Sequence, residues 1–124
     1  MTAWKLQKLV YYCQAWSLVW DERPLFSEKI LAWANGPVVR ELFHKHRGQF
    51  VVSNIQGDLR RLDNNARETI DAVLKHYGKK SAQYLAELTH LEKPWRETRG
   101  NLAPGERGDS EITLVAMADY YSSL

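Results

Sequence analysis

The sequence is poor in the residues that cross-linked scaffolds and most reaction centres need. A single cysteine, Cys13, in 124 residues excludes an internal disulfide and points to a reducing, cytoplasmic setting. Apolar runs are short. None approaches the ~20 residues of a membrane-spanning helix, and the N-terminus has no secretory pattern, so no membrane partner is expected. Neither sign of charge dominates: 17 Lys and Arg against 15 Asp and Glu leave a formal net charge of +2, which argues neither for nor against nucleic acid. A glycine-rich phosphate loop, a dinucleotide fingerprint and zinc-ligand spacing are all missing, so no cofactor or metal is expected. There are no internal repeats and no low-complexity tracts. What remains, 44% hydrophobic and 26% charged, is the composition of one globular domain over residues 1–124, long enough to bury a core.

Aromatic residues are plentiful. Five Trp and six Tyr exceed what a small helical core readily hides, and such side chains dominate interface energetics. They concentrate first in KLQKLVYYCQAW, a run that reads as a helix capped by Thr2. At about 100° per residue, Leu6, Leu9, Val10, Cys13, Trp16, Ser17 and Trp20 share one face. Trp4, Tyr11, Ala15 and Leu18 form a second apolar stripe, with Lys5 and Lys8 between the two. A helix apolar on two sides is either central in its own domain or meets a second surface.

Downstream the chain reads as mainly α, a compact helical bundle with a minor β pair. Ile30, Leu31 and Trp33 form an apolar segment that ends at Asn35-Gly36-Pro37. Gly36 permits positive φ and Pro37 presets a helix over Val38 to His46, with Leu42 and Phe43 inward and Gly48 as the stop. Phe50-Val51-Val52 is β-prone, so residues 50–52 are expected to pair with 30–33. Asn64 or Asn65 caps a helix to Tyr77, and Ser81 caps Ala82 to Leu91, with Leu85, Leu88 and Leu91 in register. Pro94 opens a turn carrying Trp95, Arg96 and Arg99. Gly100 to Asp109 is a loop, and Ile112 to Tyr121 is a last helix.

Catalysis is not expected. His44 and His46 are two residues apart on a helix and point to different sides. His76 lies at a helix end, where it suits the dipole. His90 could be oriented by Glu92, but no nucleophile accompanies it and Cys13 is on a core face; a buried, hydrogen-bonded His90 beside Trp95 is the stronger reading. Nucleic-acid binding is the better rival. Arg40, His44, Lys45, His46 and Arg47 form a basic cluster that Arg60, Arg61 and Arg67 extend, although Asp58, Asp63, Glu68 and Asp71 interleave with it.

The residues Lys5-Leu6-Gln7-Lys8-Leu9, Tyr11-Tyr12, Ala15-Trp16, Pro24-Leu25-Phe26, Ala32-Trp33 and Gly36-Pro37-Val38-Val39 resemble the Panacea, or SocA-like, antitoxin domain. Tyr77-Gly78, Ser81-Ala82, Leu85, Thr89-His90, Glu92 and Pro94-Trp95 continue the likeness, which spans nearly the whole chain. The resemblance implies a prokaryotic or phage antitoxin of a type II toxin-antitoxin system, neutralising a cognate toxin by direct protein contact. Toxins paired with this domain include alarmone-synthetase-like enzymes. It also implies one alternative, an adaptor presenting the toxin to a Clp protease, and the basic cluster leaves a second, a DNA-binding autoregulator.

One departure stands out: the family usually carries a helix ahead of KLQKL, whereas here only Met1-Thr2 and a few residues precede it, so that helix is expected to be dispensable, to lie outside this sequence, or to be replaced by a partner. The stripe of Trp4, Tyr11, Ala15 and Leu18 is where that helix or a substitute would dock, so self-association or dependence on the toxin is expected. Partner-contact candidates are Trp4, Tyr11 and Leu18 from the stripe and Trp95, Arg96 and Arg99 from the Pro94 turn. Packing is the stronger expectation for Tyr11 and Trp95. Exposure is expected of Arg96 and Arg99, since arginine is rarely buried unpaired.

Overall fold

A computed structural model describes residues 1–48, 63–103 and 105–124. The elements run α1 (Ala3–Trp20), β1 (Ile30–Trp33), β2 (Gly36–Val39), α2 (Arg40–His46), α3 (Asn64–Tyr77), α4 (Ala82–Leu91), α5 (Lys93–Arg99), β3 (Glu111–Ile112) and α6 (Leu114–Ser122). The fold is mainly α with a small antiparallel sheet, the class expected from the sequence.

Thr2 starts α1, its side chain accepting from the Lys5 amide at 3.1 Å, and the helix then runs through the middle of the domain. The helices α3, α4 and α6 and the strand β2 all pack against it, so buried positions occur right round its circumference. This corrects the expectation that the second stripe waits for an outside neighbour. Tyr11 and Ala15 are 1% and 0% exposed, Trp4 rests on Phe43 and His46 of α2, and Leu18 is half-buried against the core. Tyr11 and Ala15 thus need no outside neighbour, while Trp4 and Leu18 stay half-exposed.

The sheet departs from the expected pairing. β1 is its central strand, in the order β2-β1-β3. Val38 and Val39 were expected to begin a helix, but they lie in β2, and α2 starts only at Arg40. Gly36, at φ 121°, completes a tight hairpin in which Trp33 faces Gly36 and Ile30 faces Val39, and β-branched valines suit the pleat. Pro37 has no N–H to donate, which an edge strand tolerates. On the other side Ile30 pairs with Ile112 and Leu31 with Glu111. Ile112 is therefore a strand residue, and α6 begins at Leu114 under a Thr113 cap that accepts from Ala116 at 3.1 Å. The stretch 50–52, expected to pair with β1, lies outside the described residues.

α3 and α4 follow one another across a short turn, as expected, but they pack on α1 and not on each other as the compact hairpin expected from the sequence would. The first cap is Asp63 rather than Asn64 or Asn65, and it accepts from Ala66 at 2.8 Å; Ser81 caps α4, accepting from Tyr84 at 3.0 Å. Val73, Tyr77 and Leu85 are buried, while Leu91 is 72% exposed. Three-residue steps fall about 60° short of a full turn, so Leu88 and then Leu91 rotate away from the face that Leu85 buries.

Candidate functional site

The motif at the start of α1 makes separate contacts residue by residue. Lys5 Nζ donates to the Gly78 carbonyl at 2.6 Å, tying α1 to the end of α3. Leu9 enters the core. Gln7 completes the outer edge of β2: its Oε1 accepts from the Val39 amide at 2.9 Å, and its Nε2 donates to the Val39 carbonyl at 3.3 Å. The same Nε2 lies 2.8 Å from His46 Nε2, which must then accept, so the imidazole is neutral. Burial pushes the His46 pKa down, in the direction that keeps it so. Two turns later Gln14 repeats the device, accepting from the Leu25 amide at 2.7 Å and donating to the Phe26 carbonyl at 3.0 Å.

Lys8 breaks this pattern of satisfied polar groups. It is 1% exposed, yet its Nζ has no hydrogen-bond partner among the described residues. The ammonium lies 5.3 Å from the Trp4 ring centroid, a cation–π contact that offsets only part of the cost of burying a charge. Burial pushes its pKa down to about 8. The other buried side-chain nitrogen without a partner among the described residues is His90 Nε2. Both residues line a recess of about 240 Å³ that Trp4, Asn35 and Ala82, Gln83 and Ala86 of α4 complete, with the two nitrogens buried behind its surface.

His90 is held in place by its neighbours. Its ring stacks on Trp95 with centroids 3.9 Å apart and planes 10° from parallel. The Trp95 indole N–H donates to the Trp33 carbonyl at 2.8 Å, and the Arg99 guanidinium lies 5.4 Å from the Trp95 centroid. Burial lowers the His90 pKa, followed by the positive charge of Lys8, while the Asn35 backbone opposes them. The expectation of packing against Trp95 is met. The ring is also hydrogen-bonded, as expected, to the Asn35 backbone, while Nε2 has no partner among the described residues and Glu92, expected to orient His90, is occupied elsewhere.

Space for the lysine comes from a glycine. A Cβ at Gly36 would lie 2.6 Å from Lys8 Cε and 3.3 Å from Thr89 Oγ1, and the backbone there has a φ of 121°. Gly36→Ala is therefore expected to cost about 2 kcal/mol through strain and displacement of Lys8, measured by urea denaturation. An unchanged midpoint would show that Lys8 does not need this gap.

Glu92 anchors a second buried polar group. Its Oε1 accepts from Tyr12 at 2.6 Å and from Tyr121 at 2.8 Å. Because Tyr121 gives its one proton to Glu92, Tyr11, whose hydroxyl is 3.0 Å away, donates to Tyr121. Burial raises the Glu92 pKa and the two tyrosine bonds pull it back. The rings also pack, Tyr12 stacking on Tyr77 with centroids 4.2 Å apart.

Other chemistry expected from the sequence is dispersed. Cys13 is buried, and burial pushes its thiol up to about 12. We expect it to stay unmodified by an aromatic disulfide reagent until the chain unfolds; immediate stoichiometric reaction would place it at the surface instead. Of the basic cluster, His46 is buried against Gln7 and Arg40 pairs with Asp109 at 3.3 Å. His44, Lys45 and Arg47 are exposed, and Arg60 and Arg61 lie outside the described residues. A wider groove of about 660 Å³ beside Trp33 and Arg40 has no buried unpartnered polar atom among the described residues.

Of the residues expected to meet a partner, the structure gathers Trp4 and Trp95 around Lys8 and His90, Trp4 on the wall and Trp95 beneath the imidazole. Tyr11 is buried in the Glu92 group, and Leu18 is half-buried elsewhere on α1. Arg96 is exposed, as expected. Arg99 corrects its expectation: it is 6% exposed, because its guanidinium donates to the carbonyls of Ala32 at 3.2 Å, Ala103 at 3.2 Å and Glu106 at 2.6 Å. Three carbonyl partners remove the usual cost of burying arginine. Lys8 and His90 were not singled out as a pair by the sequence, which places them 82 residues apart; the one signal was a lysine flanked by two apolar stripes.

These features define a domain built on a polar-studded central helix, with an unneutralised cation in a half-open recess. The family model described as antitoxin SocA-like, Panacea domain, matches residues 6–96, from the α1 motif into α5. The chain belongs to the SocA-like Panacea antitoxin family. No curated protein and no solved structure matches it. Among the described residues no helix is long and apolar enough to cross a membrane.

Proposed function

We propose that this chain is the antitoxin of a type II toxin-antitoxin pair, acting in the cytoplasm and neutralising its cognate toxin by direct binding, with no catalytic step of its own. Membership of the Panacea family over residues 6–96 carries the reading. Neutralisation by contact needs affinity rather than chemistry, and a standard interface of about 1,600 Å² takes most of its energy from a few aromatic or arginine anchors. Trp4, half-exposed on the recess wall, and Arg96, exposed on α5, are the anchors that remain available from those expected. The domain is already packed around α1, so binding carries little ordering cost.

Co-expression with the neighbouring reading frame of the source genome tests this. Restored growth together with a co-purifying complex is the expected result. Restored growth with disappearance of the toxin protein would mark the adaptor route. A neighbour that is not toxic, or rescue with the toxin intact and nothing co-purifying, would contradict direct neutralisation.

A further inference from the structure

We propose that the recess between the start of α1 and α4 is a carboxylate receptor, in which Lys8 Nζ and His90 Nε2 grip an aspartate or glutamate side chain of a protein partner. The source of the carboxylate rests on the reading of this chain as a protein-binding antitoxin; the site itself rests on the geometry.

Three observations converge on it. A buried ammonium is normally paired, and one left alone is costly, yet Lys8 Nζ has no hydrogen-bond partner among the described residues. The gap at Gly36 leaves room for the lysine to run into the recess. His90 Nε2 is likewise buried and unpartnered there, and its ring is fixed by stacking on Trp95, so the second nitrogen is already oriented. Ala82, Gln83 and Ala86 bring α4 to the same wall, which runs along the helix from its first turn to His90 in its last.

The chemistry selects a carboxylate over a phosphate. The recess offers the charge of Lys8 and an imidazole that burial and the Lys8 and Arg99 charges hold toward neutrality, while its hydrogen bond to the Asn35 backbone and Glu87 act the other way; with that bond at the other ring nitrogen, Nε2 donates to a carboxylate as the imidazolium that an incoming acid favours. Two nitrogens match the two oxygens of a carboxylate, whereas a phosphate dianion presents more charge and more acceptors than they satisfy. No acidic residue lines the recess among those described, so an incoming acid meets no like charge.

The test uses the isolated full chain. The His90 imidazole is followed by NMR during pH titration with the blocked peptide acetyl-Gly-Glu-Gly-amide, with its Gln counterpart and with inorganic phosphate. The expected result is a saturable response to the Glu peptide alone, with the His90 pKa rising by about one unit or more and Lys8→Met abolishing the response. Lys8→Met removes an unpaired charge, so its melting temperature, recorded alongside, is expected to be no lower than that of the parent. An equal response to the Gln peptide, a tighter response to phosphate, or none to the Glu peptide overturns the site. Growth rescue reports separately on the antitoxin reading: rescue without any peptide response removes the receptor alone, and a peptide response without rescue removes the antitoxin reading alone.

Discussion

Glu92→Ala lowers the unfolding free energy by about 4 kcal/mol, because it leaves the Tyr12 and Tyr121 hydroxyls buried without their shared acceptor. Tyr12 and Tyr121 are 0% and 1% exposed, so water cannot replace the carboxylate without opening the core. Glu92→Gln behaves differently, costing under about 1 kcal/mol or even stabilising, since the amide oxygen still accepts while the desolvated charge is gone. The pH dependence separates the two effects. Burial holds the Glu92 pKa above its ordinary 4.5, so below about 4.5 the side chain is protonated in both folded and unfolded chains and carries no penalty. As pH rises through the raised value the folded state must ionise in a dry setting, and the stability that Glu92 contributes falls. The advantage of Glu92→Gln over the parent therefore grows with pH across that interval. Urea denaturation of the three chains at pH 4 and pH 7 measures it. A Glu92→Ala loss below about 1 kcal/mol would show that the tyrosine hydroxyls are not held by Glu92.

Lys8→Met is expected to act in the opposite direction and stabilise the chain. A fall in pKa from 10.5 to about 8 amounts to a penalty of about 3 kcal/mol on the charged form, and methionine fills a similar space without it. At the scaling of a domain this size the melting temperature would rise by about 10 °C at pH 7. The lysine pKa is depressed on folding, so below about pH 8 both states are protonated and the full penalty applies. Between about 8 and 10.5 the unfolded chain binds the proton that the folded chain has lost, and parental stability climbs. Near and above pH 10 the buried tyrosines, whose pKa values burial raises, pull stability back down, so the clean window is about pH 8 to 9.5. Lys8→Met lacks the climb in that window. A Lys8→Met chain that melts lower than its parent at pH 7 would mean that the ammonium has a partner of its own. Retention of an unpaired buried lysine that costs stability is what a binding site, rather than a packing role, explains.

Much of this was legible from local chemistry. Thr2, Ser81 and the Gly36-Pro37 break marked real boundaries because caps and positive φ are properties of single residues. The helices α3 and α4 followed from two apolar periodicities and a short turn, but their apolar faces meet α1 and not each other. Where tertiary pairing decided the outcome, local signals failed: Val38 and Val39 joined β2 because Ile30 to Trp33 lay ready to pair, and Ile112 joined β3 for the same reason. Packing was the stronger expectation for Tyr11, but its partner was not legible, because Tyr121 comes from α6, more than 100 residues on in sequence. Arg99 looked exposed because its three carbonyl partners come from β1 and the following loop. The recess depended most on the fold. Lys8 was visible only as a cation between apolar faces, and His90 as a buried histidine beside Trp95; their convergence requires α1 and α4 to meet.

The pKa of Lys8, followed through a ¹³Cε label in the free chain and in its complex with the toxin, tests the central claim that the family motif keeps a buried, unneutralised cation for a partner's acid. The account predicts a value near 8 in the free chain, returning to 10 or above when the complex supplies a carboxylate, by about 2 units. An ordinary value near 10.5 in the free chain, or a depressed value that the complex leaves unchanged, would contradict it.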